Sequence, residues 1–502
     1  MKNTFHIRSF HYLLLCLILC ATALGCSKFE TLQQNPNNPS VGSPNLLLPY
    51  LVQSVFYNGD PTSWAATAQQ LFYTERRESD QYWGWRADGF GWYNDIRQTL
   101  KMEQEALRMG ADAYLPIAHF IQQLAFYEET RRVGDIPYSE AMQAEEGSFT
   151  PAYDTQRDVF KGILAALAAI NQEFAAVGDQ SISGDLLYDG DLSKWRKLTN
   201  SYRLKILMDL SLKADDAELD IPGQFRQIVS DPVNHPIFES NDDMPRFQFF
   251  DQESNRYPTY NQITTRIQQK LTTTMVDYLV DTEDPRLFAY AEPAWPDGSD
   301  GWSDAERADY RAAFSSYQGL DPALVHGEGS KQRSSNLHWR YYENPVVEDY
   351  VKFSYSELNF ILAEAALRGW ISGDAQAYYT RGIEASMEFF GVEVGNYTST
   401  LPTATARAIE QVNMQKYIAF FMNSAWEAWF NHRRLAAHGL GADGQGVPVF
   451  KVGDSHYVTH PPLRWEYPQS EIFDNELNVK AALDRQFGGA NSIDGVMWMI
   501  DQ

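Results

Sequence analysis

Apolar residues return every three or four positions in several long stretches of the chain. From Thr155 the set Val159, Ile163, Leu167, Ile170 and Phe174 advances by fours and threes. Trp195, Leu198, Tyr202, Ile206 and Leu210 repeat that spacing, as do Leu358, Ile361, Leu362 and Ala365. Ala375, Tyr378, Tyr379, Gly382, Ile383 and Ser386 continue it, and a last run passes through Met414, Tyr417, Ile418, Phe421 and Ala425. Each stripe covers one side only, which predicts helices that pack on neighbours. Glu357 to Arg368 reads as one helix, Gly369 to Asp374 as a tight turn, and Ala375 to Phe390 as a second helix. A lone hairpin of this kind cannot cover its own apolar face, so such units stack. Strand is expected only as one or two short pieces at Pro245 to Phe250.

Two segments break the helical period. Ser79 to Asn94 carries Tyr82, Trp83 and Trp85 beside Asp80, Arg86 and Asp88. Glu292 to Asn344 is rich in Gly, Asp, Ser and Pro and carries Trp295, Trp302, Trp339, Tyr341 and Tyr342. It is far longer than the usual connection of about 4–6 residues, and long ordered loops are often functional. Aromatic composition gives both segments weight, since 13 Trp, 28 Tyr and 28 Phe are more than the helical stripes use. Flat rings at a surface pack on the C–H faces of sugars, while Asp, Asn and Arg bond to hydroxyls. The expectation is a shallow groove where the two segments meet. Its contact residues are Asp80, Tyr82, Trp83, Trp85, Arg86, Trp295, Trp302, Trp339 and Tyr342. Period two puts Trp83 and Trp85 on one side of an extended segment, so the same pair serves equally to pin the segment to the core.

Charge narrows the partner. Lys and Arg number 41 against 66 Asp and Glu, a formal charge of −25. Phosphate binding needs clustered cations, so nucleic acid is disfavoured; a neutral or cationic ligand fits better. At the start, Lys2 and Arg8 precede an uncharged apolar run from Tyr12 to Leu24, followed by Gly25-Cys26. A basic start, a short apolar run and small residues before a cut describe a secretory signal, too short for a mature membrane span of about 20 residues. All three cysteines, Cys16, Cys20 and Cys26, fall in or at the end of this leader. The expected organisation is a signal peptide at 1–25, with Cys26 carrying a lipid. A tether at 26–45 and a single helical domain at 46–502 follow, with a loop insertion at about 292–344.

Several phrases then recur in one order. They are Val133-Gly134-Asp135-Ile136-Pro137-Tyr138 with Glu140-Ala141; Tyr188-Asp189-Gly190-Asp191 before Trp195 and Asn200-Ser201-Tyr202-Arg203-Leu204; and the Glu357–Gly369 helix. Gln415-Lys416-Tyr417 follows, with Glu427-Ala428-Trp429 and Arg433-Arg434, and then Arg464-Trp465-Glu466-Tyr467-Pro468 with Glu471 and Asn475. The Asn35-Pro36-Asn37 tether completes the set. Together they resemble the SusD/RagB family of surface lipoproteins, in its SusD-like branch. The resemblance implies a mainly α platform of tetratricopeptide-like helix hairpins with long ligand-binding loops and few short strands. It also implies a lipid-anchored protein on the outer face of a Bacteroidota outer membrane. Such proteins capture oligo- or polysaccharide, in some members peptide, and deliver it to a TonB-dependent SusC-like transporter. It implies no enzyme activity and no cofactor. The phrases themselves read as scaffold: Glu427, Arg433 and Arg434 as a buried charge network, Trp195 and Trp429 as core.

Catalytic patterns are sparse. The chain has no His-Glu-x-x-His, no cysteine pair outside the leader and no Gly-x-Ser-x-Gly, so zinc hydrolysis and the serine elbow lack support. Gly439 to Gly444 spells Gly-x-Gly-x-x-Gly, but a helix precedes it and a loop follows, the reverse of a dinucleotide site. Asp297, Asp300 and Asp304 miss the EF-hand spacing and read as an aspartate-rich turn without metal. A glycoside hydrolase needs two carboxylates about 5–10 Å apart and remains the enzyme alternative.

Overall fold

A computed structural model describes residues 42–502 except 58, 76–78, 443 and 445. Cys26, the leader and the Asn35-Pro36-Asn37 tether lie outside the described residues. The body is a stack of helix hairpins. Trp92–Met109 packs on Leu115–Val133, which packs on Gln156–Val177, which packs on Leu192–Asp209. Tyr355–Leu367 lies against Leu192–Asp209 and carries Ala375–Phe389 and Thr405–Ala419 on its other sides. Among the described residues strand is confined to two antiparallel pairs. Leu71–Tyr73 runs against Gln269–Leu271, and Arg246–Phe247 against Tyr350–Val351.

Four of these helices begin where the sequence supplies a side-chain acceptor for orphan N–H groups. Thr155 accepts from the Asp158 amide, Asp191 from Ser193 and Lys194, Ser354 from Glu357, and Asp374 from Gln376. The predicted hairpin is present as Tyr355–Leu367 and Ala375–Phe389, turned by Gly369 at a φ of 74°. Gly382 lets the two helices close, since a Cβ there would stand 2.6 Å from the Phe360 ring. Phe360, Tyr379, Ile383, Met387 and Val412 fill the space between the three helices as one buried cluster.

The last predicted stripe is corrected. The helix ends at Ala419, and Met422, Ser424 and Ala425 take left-handed φ values of 57°, 64° and 50°. The Ser424 amide donates to the Val351 carbonyl, and the Asn423 side chain accepts from the Val351 amide. Phe421 and Met422 stay buried through this turn, which is why the apolar spacing runs on after the helix has stopped. The chain restarts as Glu427–Ala437 in a new direction.

That restart places Glu427 in a buried ion network. Its carboxylate meets Arg131 at 2.5 Å and Lys205 at 2.7 Å. Lys205 also bonds Glu357, and Arg131 bonds Glu128 at 2.8 Å. A few residues on, Arg434 grips both oxygens of Glu364 at 2.7 and 2.8 Å. The family-like phrases therefore converge on the middle of the helix stack. Trp195 and Trp429 are core, and the Trp195 indole donates to Asp185.

Candidate functional site

The two aromatic segments have opposite fates. In the first, Tyr82 and Trp83 have no exposed surface at all. The Trp83 indole donates to the Thr67 carbonyl at 3.0 Å, and its ring lies against His456 and Phe450. Its backbone φ of 52°, rare for a bulky residue, is held by that burial. Tyr82 meets Phe72 and His456 edge-on. Trp85 stacks on Trp465 at 4.3 Å with Trp426 and Trp429 at its edges. The expectation that Tyr82, Trp83 and Trp85 form a surface platform is corrected. Helices and the 450–467 stretch stand behind this segment and supply enough partners to bury Tyr82 and Trp83 fully and Trp85 in part. Asp80 is half-buried, its carboxyl raised chiefly by burial, and Ser63 hydrogen-bonds it. Arg86 is exposed, and its guanidinium lies 3.4 Å from the Tyr457 carbonyl. The two segments do not share a groove; residues 453–457 run between them, with the Tyr457 amide on the Tyr82 carbonyl and Ser455 bonded by the His326 amide.

The second segment is built differently. Its ends are stitched to the small sheet. The Glu292 amide donates to the Asn336 carbonyl, Leu271 to Ser335, Leu337 to Gln269 and His338 to Tyr290. Between these stitches, Ser303 and Glu306 form a reciprocal cap on a short helix, Asp304–Ala312. Arg307 and Arg311, four apart on that helix, lie 5.6 and 5.1 Å from the Trp295 ring. Tyr310 adds a tilted contact to Trp295 at 5.4 Å, and Trp302 braces both rings. Trp302 thus supports the site without lining it.

The result is an open cleft of about 650 Å³ in which Trp295, Trp339, Tyr342 and Ile267 stand among Glu292, Asn336, Arg311, Arg266 and Glu343. That volume lies in the range of about 300–1,000 Å³ usual for ligand sites. Trp339 is the most open of the cleft rings, 44% exposed, and among the described residues its one ring neighbour is His338, tilted beside it. Glu292 sits at the buried base. Burial raises its carboxyl above the ordinary value, partly offset by Arg311 and the Trp295 indole. Arg311 and His338 approach it at 3.7 and 3.6 Å. Burial and the nearby Arg340 and Arg311 push His338 down to about 4, so it is neutral at physiological pH. Burial lifts the Tyr342 hydroxyl to about 12. Among the described residues no group of three His, Cys, Asp or Glu side chains could hold a metal.

Sequence reasoning names Trp295, Trp339 and Tyr342 here but misses Arg266, Ile267, Arg311, Asn336 and Glu343. One signal was available: Ser303-x-x-Glu306 is a capping box, which sets a helix carrying Arg307 and Arg311 on one face. Nothing in the sequence ties the Ile263–Gln268 helix to this loop.

A stack of helix hairpins that carries an open aromatic cleft on a long insertion defines a ligand-binding platform. A family model described as starch-binding associating with outer membrane matches residues 36–468, and the chain belongs to this SusD-like family. It is 33% identical to an outer membrane protein of Bacteroides vulgatus described in terms of nutrient binding, over 92% of this chain and all of that one, with a TM-score of 0.78. A SusD homologue of Bacteroides fragilis is 31% identical over the same shares, with a TM-score of 0.81. A chitin-binding protein is 25% identical over 91% of this chain and all of that one, at a TM-score of 0.69. No curated protein sequence matches the chain.

Proposed function

We propose that this protein is a lipid-anchored glycan-capture protein of the outer cell surface. It takes up oligo- or polysaccharide in the Trp295–Trp339 cleft and hands it to a SusC-like TonB-dependent transporter. Cys26 carries the lipid in this reading. The observation that supports it most is the cleft itself: open, walled by Trp339, Tyr342 and Trp295, and floored by polar groups of both kinds. Aromatic faces take the apolar side of a sugar ring. The Glu292 carboxylate accepts from hydroxyls, Arg266 and Arg311 donate to ring and hydroxyl oxygens, and Asn336 does both. Membership of a family described by starch binding, and a chitin-binding relative, point the same way. The test is a retardation assay of the folded protein in gels containing individual polysaccharides, followed by calorimetric titration with fragments of whichever polymer binds. Retardation that is clearly weakened in Trp339→Ala supports the reading; retardation unchanged in that variant moves the site elsewhere. Loss of radiolabelled fatty acid in Cys26→Ser tests the anchor, and co-purification with a SusC-like barrel tests the partner.

A further inference from the structure

Beside the cleft lies a second concavity, of about 460 Å³, which shares Trp295 and Asn336 with it as a common wall. The two hollows differ in charge. The first is balanced, with Arg266 and Arg311 against Glu292 and Glu343. The second is lined by Lys270, Lys331 and Arg333 against Asp297 alone. This excess of cations stands on a chain whose formal charge is −25, so it runs against the average of the molecule.

Only one of the three cations has a carboxylate partner among the described residues. Lys331 pairs with Glu328 at 2.6 Å. Lys270 and Arg333 have no carboxylate within ion-pairing distance among the described residues. Lys270 is the central residue of the Gln269–Leu271 strand, paired opposite Phe72, and is only partly exposed. Burial lowers the pKa of its ammonium group, and no neighbouring carboxylate contributes. A half-buried cation without a counter-ion costs free energy unless something completes it. The position is also backbone-fixed. Strand pairing with Leu71–Tyr73 and the bridge to Asn336 hold the residue at the wall of the hollow. A free surface lysine would instead swing into water.

Resting on the glycan reading above, we propose that the ligand is an anionic saccharide: a neutral unit lies in the first cleft over Trp339 and Tyr342, and a uronate carboxylate or sulfate ester on the adjoining unit meets Lys270 and Arg333 in the second. A guanidinium holds either group through paired N–H donors, and an ammonium adds a point charge. Trp295 stands between the two units. This changes what the net charge says about the partner. The acidic surface repels polyanions in general, and the hollow admits one through a local reversal.

The test uses the folded protein in native gels containing one polymer each. Polygalacturonate and alginate carry carboxylates; chondroitin sulfate and heparin carry sulfate esters; starch, galactomannan and glycol chitin are neutral. The expected result is retardation by at least one acidic polymer, with the dissociation constant raised at least tenfold in the double variant Lys270→Gln, Arg333→Gln. The carboxylate and sulfate arms tell the two anions apart. A circular dichroism spectrum and melting curve equal to wild type show that the variant is folded. Should it not fold, Arg333→Gln alone, on an exposed side chain, gives the same reading with a smaller change. Retardation by neutral polymers only, or acidic binding unchanged in the folded variant, overturns this inference and leaves glycan capture standing. Retardation by no polymer overturns both.

Discussion

The segments 79–94 and 292–344 look alike on paper, and the molecule uses them in opposite ways. Both are rich in Gly, Asp and Trp, and both interrupt helical spacing. In the first, each large ring finds partners from distant elements: Trp83 has Thr67, Phe450 and His456, and Trp85 has Trp426, Trp429 and Trp465. In the second, Trp295, Trp302 and Tyr310 have chiefly one another, and Trp339 has His338. The difference lies in the supply of covering surface. A short segment crossing the helix stack is walled in on the far side. The long insertion is pinned at both ends and again at Leu320 and His326, but no residue of its own capped helix is buried, and the rings beside that helix stay accessible.

The sharpest way to break this contrast is to remove the buried rings. Trp83→Ala should cost about 3–5 kcal/mol of stability, the range for deleting a large aromatic from a packed core. Its indole hydrogen bond to the Thr67 carbonyl is lost as well. Trp85→Ala should cost somewhat less, about 2–4 kcal/mol, because the ring is partly exposed and its Nε1 bonds no protein group. Denaturant melts give both numbers. Glycan affinity of the fraction that remains folded should be unchanged; a weakened affinity at intact stability would return these rings to the ligand site.

What the sequence made legible follows the same logic of supply. Gln156–Val177 and Leu192–Asp209 were readable because each shows one stripe and one cap, Thr155 and Asp191. Leu115–Val133 was not, since nearly every side chain in it is buried and no stripe survives. Trp92–Met109 was hidden by the aromatic run that leads into it. The charge network was readable in kind for Glu427 and Arg434, which an apolar helix has to pair, whereas Arg433 donates to the Leu463 and Arg131 carbonyls instead. The network's partners Arg131, Lys205 and Glu357 are brought together only by the fold. In the cleft, the loop rings were legible as a group. Whether a tryptophan at 83 or at 339 faces water depends on what packs behind it, and spacing along the chain does not encode that.

Trp339→Ala sharpens the contrast from the other side. With 44% of its surface exposed and one tilted ring neighbour, its removal should change stability by no more than about 0.5 kcal/mol. A lost aromatic contact is worth about 0.5–1.5 kcal/mol, so glycan affinity should fall by a few-fold to about tenfold. Titration calorimetry and a melt of the same preparation check both halves. A large loss of stability would place Trp339 with Trp83.

The smallest expected effect separates the two regions by pH. Glu292 at the cleft base has its carboxyl raised, mainly by burial. As pH falls from 7 toward the ordinary glutamate range it takes up a proton before an ordinary glutamate would, and it then loses its charge toward Arg311 and its acceptor-only character toward hydroxyls. His338 beside it, pushed down to about 4, stays neutral over that window. The scaffold responds with the opposite sign. Attraction to Arg131 and Lys205 outweighs burial and holds Glu427 down to about 2, so its contribution is present above the unfolded value and is lost only as pH falls through about 2. Glu348, lifted to about 7 mainly by burial, binds its proton more tightly folded than unfolded, so acidification through 7 to 5 adds stability. Affinity for the captured glycan should therefore begin to weaken at a higher pH than an ordinary glutamate would dictate, while the melting temperature between pH 7 and 5 holds or rises. Glu292→Gln should flatten the affinity profile and leave the melting profile in place. A pH dependence that persists unchanged in that variant would show that the carboxylate at the base of the cleft does not meet the ligand.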